Sequence, residues 1–412
     1  MKKLMLLLLA LALAACGGGS TTTTNPGSTT TVDPGPTIPV TTPTTAVVTI
    51  PIPTDPLVVW VEDETLAAAI EERGTAYTAT TGVAVEVRVY EPGASGGSAT
   101  DLLSALLLDE IDGPADIYIG PHTWVLTLAE VGLAEPVPLT AGLEASIAQS
   151  VSPRGFALGV PLAVNGVVQV RNRALMPEAP ASVESIPCPD ADRCLLLPAD
   201  GDADIHYPFL VALGGYLFAP DPVPGYDTEN LGVASAEAIA GATIFSTLLT
   251  DADIDPVTDE AAGIADFVAG NAALIWVHAT SIDAVQASGM DIAIELLPMI
   301  GGNAPITAFR TLTAIVNPTG AAKTEAVEFA TQWLGDVNGS AAISLATGMA
   351  PVWVEAADAA MTVVHTSVSA GHPVPPVADI DRIWFELTDA FRRIYLGTTA
   401  EDAMFGAADD IG

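Results

Sequence analysis

Residues 57–61 read Leu57-Val58-Val59-Trp60-Val61, and the segment from there to Pro121 decides the fold. An unbroken apolar run of this length, closed by Glu62-Asp63-Glu64, predicts a strand covered on both faces. Leu66, Ile70 and Tyr77 then recur at helical spacing as far as the turn Thr81-Gly82. Val83–Val89 alternates as a second strand, Asp101–Leu108 has a helical pattern, and Asp116-Ile117-Tyr118-Ile119 forms a third strand ending at Gly120-Pro121. This βαβαβ order predicts an α/β fold with a parallel sheet and helices on both faces. Ligands of such sheets bind beyond the carboxyl ends of the strands, where Glu62–Glu64 and Gly120–Trp124 fall.

Downstream, Gly159–Val170 is an extended apolar run and Thr311–Val316 another strand. Asn317-Pro318-Thr319 leads into a helix with Ala326, Phe329, Trp333 and Leu334 on one face. No internal repeat of 20–50 residues is present. The 412 residues less the first 56 leave 356, more than one core usually serves, so two domains are expected.

Upstream, Met1-Lys2-Lys3 and the apolar run Leu4–Ala15 have the form of a secretory signal over residues 1–15. The run covers twelve residues, short of the ~20 a spanning helix needs. Leu13-Ala14-Ala15-Cys16 resembles a bacterial lipobox, which makes Cys16 the expected lipidation site; an ordinary signal with an incidental cysteine is the alternative. Residues 16–56 then form a disordered tether rich in Ser, Thr, Pro and Gly. The expected location is extracytoplasmic, anchored to the cell membrane by lipid, in a periplasm or on the outer surface. The two remaining cysteines, Cys188 and Cys194, are expected to form a disulfide in that oxidising setting.

Thirteen basic against 50 acidic residues give a formal charge of −37. No basic face is available for nucleic acid, and an anionic membrane surface repels such a chain. The mean hydropathy of +0.45 reflects Ala and Val with scarce lysine rather than membrane spans. The sequence holds no H-E-x-x-H, Walker or G-x-G-x-x-G motif, and its five histidines have no metal-ligand spacing. No enzyme activity, cofactor or metal is expected.

Several short motifs occur in order. They are the opening strand with Thr81-Gly82-Val83; Gly120-Pro121-His122-Thr123-Trp124 with Gly132-Leu133; Pro161-Leu162-Ala163-Val164-Asn165 with Asn172; Gly214-Gly215-Tyr216; and the Asn317–Leu334 helix followed by Ala346-Thr347-Gly348 and Pro351. Together they resemble the extracellular solute-binding proteins of ABC importers, in particular the maltose/maltodextrin-binding family. The resemblance implies a type II periplasmic-binding-protein fold: two lobes, each a mainly parallel sheet flanked by helices, with a cleft between them. Lobe one is then 57–163 plus 306–352, and lobe two 166–302 plus 365–412. It also implies a monomer that captures an oligosaccharide by hinge closure and delivers it to the transmembrane subunits of a permease.

The same resemblance nominates ligand contacts. Trp384 occupies the family's main stacking position, with a core tryptophan as the alternative. Tyr207 and Trp124 are further stacking candidates, or packing residues. Asp202, Asp204 and His206 share a loop that either faces the cleft or caps a helix. Glu62, Asp63 and Glu64 are candidate hydroxyl acceptors, or solvated loop residues; His278 and Thr280 are placed towards the cleft, and His122 is as much a residue that orients its own segment as a ligand contact. Thr123 stands where the family has a carboxylate and Asn165 where it has a glutamate, while a tryptophan expected near Thr280 is missing. These departures argue against maltose itself. A non-sugar solute (a polyamine, peptide or chelated metal) is the alternative within the class; a secreted glycoside hydrolase is the alternative outside it.

Overall fold

The computed structural model describes residues 55–92, 99–111, 113, 115–187, 193–220, 225–251 and 254–412. The signal over 1–15, Cys16, the tether up to residue 54, and Cys188 of the expected disulfide lie outside these residues.

The first half of the chain runs β1 (Leu57–Val61), α1 (Glu64–Thr81), β2 (Val85–Val89), α2 (Leu102–Leu107), β3 (Ile117–Pro121), α3 (Trp124–Glu130), α4 (Ala145–Ser150) and β4 (Val160–Asn172). It continues with β5 (Arg193–Pro198), α5 (Ala203–Val211), β6 (Phe218–Pro220), β7 (Tyr226–Leu231), α6 (Ala236–Thr250), β8 (Ile254–Val257), α7 (Glu260–Val268), β9 (Ala272–His278), α8 (Ile282–Gln286) and β10 (Ile292–Glu295). The remainder is β11 (Ala308–Val316), α9 (Lys323–Phe329), α10 (Val337–Thr347), β12 (Ala350–Pro351), α11 (Ala359–Ala370), β13 (His372–Pro373), α12 (Ile380–Tyr395) and α13 (Ala400–Ile411). Among the described residues no helix is long and apolar enough to cross a membrane.

The opening segment folds as its pattern dictates. Asp63 caps α1 by accepting from the Leu66 amide at 2.7 Å, and Gly82 ends it at φ +81°, a left-handed position that glycine takes without steric cost. Leu66, Ile70 and Tyr77 are the buried stripe between these caps. β1 pairs in parallel with both β2 and β3.

One mixed sheet runs through the molecule in the order β2-β1-β3-β11-β4-β9-β5-β8. Its two ends are parallel, as expected, but β11 and β4 at its centre run antiparallel to their neighbours. The thirteen-residue β4 is common to both ends: residues 160–166 pair with β11, and 167–172 pair with β9 or β10. Gly166 sits at that changeover, where a Cβ would approach Val368 Cγ2 to 2.8 Å, so only glycine lets α11 pack so close. Each end has its own apolar core. Val59, Ile70, Tyr77, Ile117 and Phe329 belong to one, and Leu195, Phe209, Phe245, Trp276 and Phe391 to the other.

Candidate functional site

β11 begins three residues earlier than its apolar pattern suggested, and those residues position the site. Side chains two apart share a face of a strand, so Ala308, Arg310 and Leu312 form one row, roughly 14 Å long. Their cross-strand partners are His372 for Ala308, Asn165 for Arg310, and both Ala163 and Pro121 for Leu312.

A polar cluster surrounds the middle of this row. Arg310 Nε donates to Asp204 Oδ2 at 3.1 Å, and its guanidinium lies 5.5 Å from the centre of the Trp384 ring. Asp204 opens the first turn of α5, where Asp202 is the N-cap and accepts from the Asp204 and Ile205 amides. His278 ends β9. Its Nδ1 contacts Glu260 Oε2 at 2.8 Å, which directs Nε2 towards Asp204 Oδ2 and Asp202 Oδ2 at 3.8 and 3.9 Å.

The electrostatics follow from this packing. Burial alone would push the His278 imidazole down, but the surrounding carboxylates of Asp204, Glu260 and Asp202 hold it well above its ordinary value, as a cation. Burial would raise Asp204, yet Arg310 and His278 outweigh it and keep that carboxyl well below the usual range. For Asp202 burial prevails, reinforced by Asp204, and its carboxyl is raised despite His278.

Three polar atoms around Arg310 are buried with no hydrogen-bond partner: Asn165 Oδ1, Asp204 Oδ1 and Trp384 Nε1. Only one other such side-chain atom occurs among the described residues, Ser146 Oγ. Buried polar atoms are paired as a rule, so this concentration marks a place where a ligand can supply the partners.

Leu312 lines one cavity, and His372, the partner of the buried Ala308, lines another. The first, about 310 Å³, is enclosed by Glu62, Asp63, Thr65, Gly120, Thr347, Met349 and neighbours, beyond the carboxyl ends of β1 and β3. The second, about 270 Å³, is lined by Gln149, Tyr207, Tyr216, Phe218, Tyr226, His372 and two prolines. Tyr207 joins this cavity to the cluster. Its ring stacks on Trp384 at 5.9 Å and 22°, and its hydroxyl meets His372 Nδ1 at 3.0 Å.

Asn165, Asp202, Asp204, Tyr207, His278 and Trp384 are therefore brought together, with Glu62 and Asp63 at the far cavity. Thr280 is exposed, its backbone packed on Gly348 at the end of α10. Glu64 is exposed in the first turn of α1 and does not line the cavity. Glu62 also accepts from the Leu102 amide at 2.6 Å, so it holds α2 as well as facing the cavity.

Other expected contacts lie in the interior. His122 is fully buried, with Nε2 on the Val374 carbonyl at 2.7 Å and Nδ1 accepting from the Thr311 amide at 3.0 Å. Burial pushes its imidazole down to about 4, so it is a neutral brace with no nitrogen left for a ligand. Thr123 and Trp124 are buried too, because α3 starts at Trp124 and turns its ring back over Gly120 into a core with Val58, Trp60 and Leu128. His206 is likewise buried between Asp202 O and Tyr395 Oη, and burial lowers it to about 4.

Arg310, Glu260 and His372 were not anticipated. Arg310 had a signal in the sequence, being the one charge within Ala308-Phe309-Arg310-Thr311-Leu312. A charge inside a central strand needs a buried partner.

No protein-family model matches the sequence. The mixed α/β architecture is that of the maltodextrin-binding proteins. Among solved structures, the chain is similar to a cyclo/maltodextrin-binding protein complexed with maltotetraose. The TM-score is 0.73 at 20% identity, covering 87% of this chain and 97% of that one.

Proposed function

We propose that this protein is a solute-binding protein, not an enzyme, and that it holds an oligosaccharide along the Ala308–Arg310–Leu312 row. The observation that carries this reading is the set of unpartnered polar atoms around Arg310, beside an aromatic pair and between two cavities. Sugars need both devices: polar groups for their hydroxyls and rings for their C–H faces. The fold shared with a protein solved with maltotetraose supports the same ligand class.

The two ends of the sheet then act as lobes, 57–163 plus 306–352 and 166–302 plus 365–412, with β4 and β11 as crossings. Closure covers the row, and ligand shifts the population towards the closed form. The closed form is presented by a monomer to an ABC permease, as one component of sugar import. Lipidation at Cys16 after removal of 1–15 anchors the chain outside the cytoplasm, and a Cys188–Cys194 disulfide suits that compartment. Maltodextrins are the first ligands to test.

A second reading, a polyamine-binding protein, draws on the carboxylates of Asp202, Asp204 and Glu260. Thermal unfolding against maltose, maltotetraose, other oligosaccharides and polyamines separates the two. A ligand at 100 times its Kd adds about 2.7 kcal/mol of stability. No shift with any carbohydrate overturns the oligosaccharide reading.

A further inference from the structure

The unpartnered atoms differ in kind. Asn165 Oδ1 and Asp204 Oδ1 are acceptors and require donors, whereas Trp384 Nε1 is a donor and requires an acceptor. All three side chains neighbour Arg310, Asn165 as its cross-strand partner, Asp204 through the 3.1 Å hydrogen bond, and Trp384 beneath the guanidinium.

The charge of the cluster narrows the ligand further. Asp202, Asp204 and Glu260 carry three carboxylates, and their ion pairs among the described residues are with Arg310 and His278 alone. With all three carboxyls ionised and His278 protonated, one negative charge is unbalanced, and it falls on Asp202, whose one ion pair among the described residues is the 3.9 Å contact with His278. Outside the first three residues the sequence has a single lysine, Lys323, and it is paired with Glu135 at 2.6 Å. A closing cleft that expels water makes an unbalanced buried charge costly. Neutral hydroxyls satisfy the two acceptors but leave that charge in place. A bare polyamine cancels the charge but offers no acceptor to the Trp384 indole.

We propose that the solute is a cationic glycan, an oligosaccharide bearing a protonated amine that sits against Asp204 and Asn165 while a sugar oxygen accepts from Trp384 Nε1. This rests on the oligosaccharide reading and specifies its chemistry. The ammonium brings three donors and no acceptor, matching the two unpartnered oxygens, and the sugar body supplies what the indole needs.

The test is calorimetric titration of the full chain at pH 6 with glucosamine tetramers in α-1,4 and β-1,4 linkage, their N-acetylated forms, maltotetraose and spermidine. A glucosamine tetramer is expected to bind at least tenfold tighter than its N-acetylated form and than maltotetraose. Asn165→Asp, which adds a carboxylate beside Arg310, widens that gap; Asp204→Asn narrows it. Equal affinity for charged and neutral tetramers overturns the cationic-glycan proposal and leaves the oligosaccharide reading standing. Binding of spermidine with no binding of any carbohydrate, or no binding at all, overturns both.

Discussion

Arg310 on β11 donates from Nε to Asp204 Oδ2 on α5 across 3.1 Å, tying the central strand to the start of a helix more than a hundred residues earlier. The two side chains are 25% and 14% exposed, so the pair is largely desolvated. Removing the guanidinium leaves Asp204 facing Asp202 with only the longer contact to His278. Arg310→Met is therefore expected to lower unfolding stability by about 2 kcal/mol, less than a fully buried pair would lose. Urea denaturation measures this. An unchanged midpoint would mean the pair contributes nothing net.

The buried histidines set opposite pH limits. His122 and His206 have folded values of about 4, below the 6.5 of an unfolded histidine. Their contribution is complete above pH 6.5 and is lost as pH falls towards 4, because the unfolded chain takes up protons first. Asp202, raised by burial, offsets a little of this at the acid end. His278 is raised, so its contribution is complete below pH 6.5 and is lost as pH rises through its folded value. Stability plotted against pH should show a maximum near 6.5. His278→Gln should flatten the alkaline limb and leave the acid limb; a variant with both limbs intact would contradict the assignment.

The first three strands and their helices were legible because each carries one dominant period and clear end signals, Asp63 and Gly82 among them. Separating groove from interior was harder. Gly120-Pro121-His122-Thr123-Trp124 does span the carboxyl end of β3, but whether its side chains face a ligand depends on how α3 leaves the sheet. That turn sends Trp124 inward over Gly120 and leaves His122 bonded to Val374, 252 residues away. Arg310, Glu260 and His372 escaped for a related reason. Each gains its role from a partner distant in sequence, and no local pattern encodes β11 lying between β3 and β4.

Trp384 offers two separable features, a ring stacked on Tyr207 and an unpartnered indole N–H. Trp384→Ala removes both and is expected to weaken oligosaccharide binding at least tenfold, equivalent to about 1.4 kcal/mol. Trp384→Phe keeps a six-membered ring in the same core and loses the donor, so its effect should be smaller. Titration calorimetry on both variants, with folding checked by circular dichroism, decides the point. Native affinity in the Ala variant would move the binding site elsewhere.

Gly201 precedes the Asp202–Asp204 turn at φ +88°, and a Cβ there would lie 2.2 Å from the Thr388 carbonyl oxygen and 2.6 Å from the Arg392 nitrogen. Both are backbone atoms of α12, so no side-chain rotation relieves the clash. The loop is bonded to the same helix, the Ala203 amide donating to Thr388 Oγ1 at 3.2 Å, so a shift at 201 moves Asp202 and Asp204 relative to Arg310 and Trp384. Gly201→Ala should cost more than about 2 kcal/mol of stability and weaken ligand binding as well. Gly132, at φ +80° with nothing within 4 Å of its ideal Cβ, is the control. Gly132→Ala meets only the backbone penalty of roughly 1 kcal/mol and leaves affinity unchanged. Equal losses in the two variants would show that left-handed backbone strain, not the contact with α12, governs position 201.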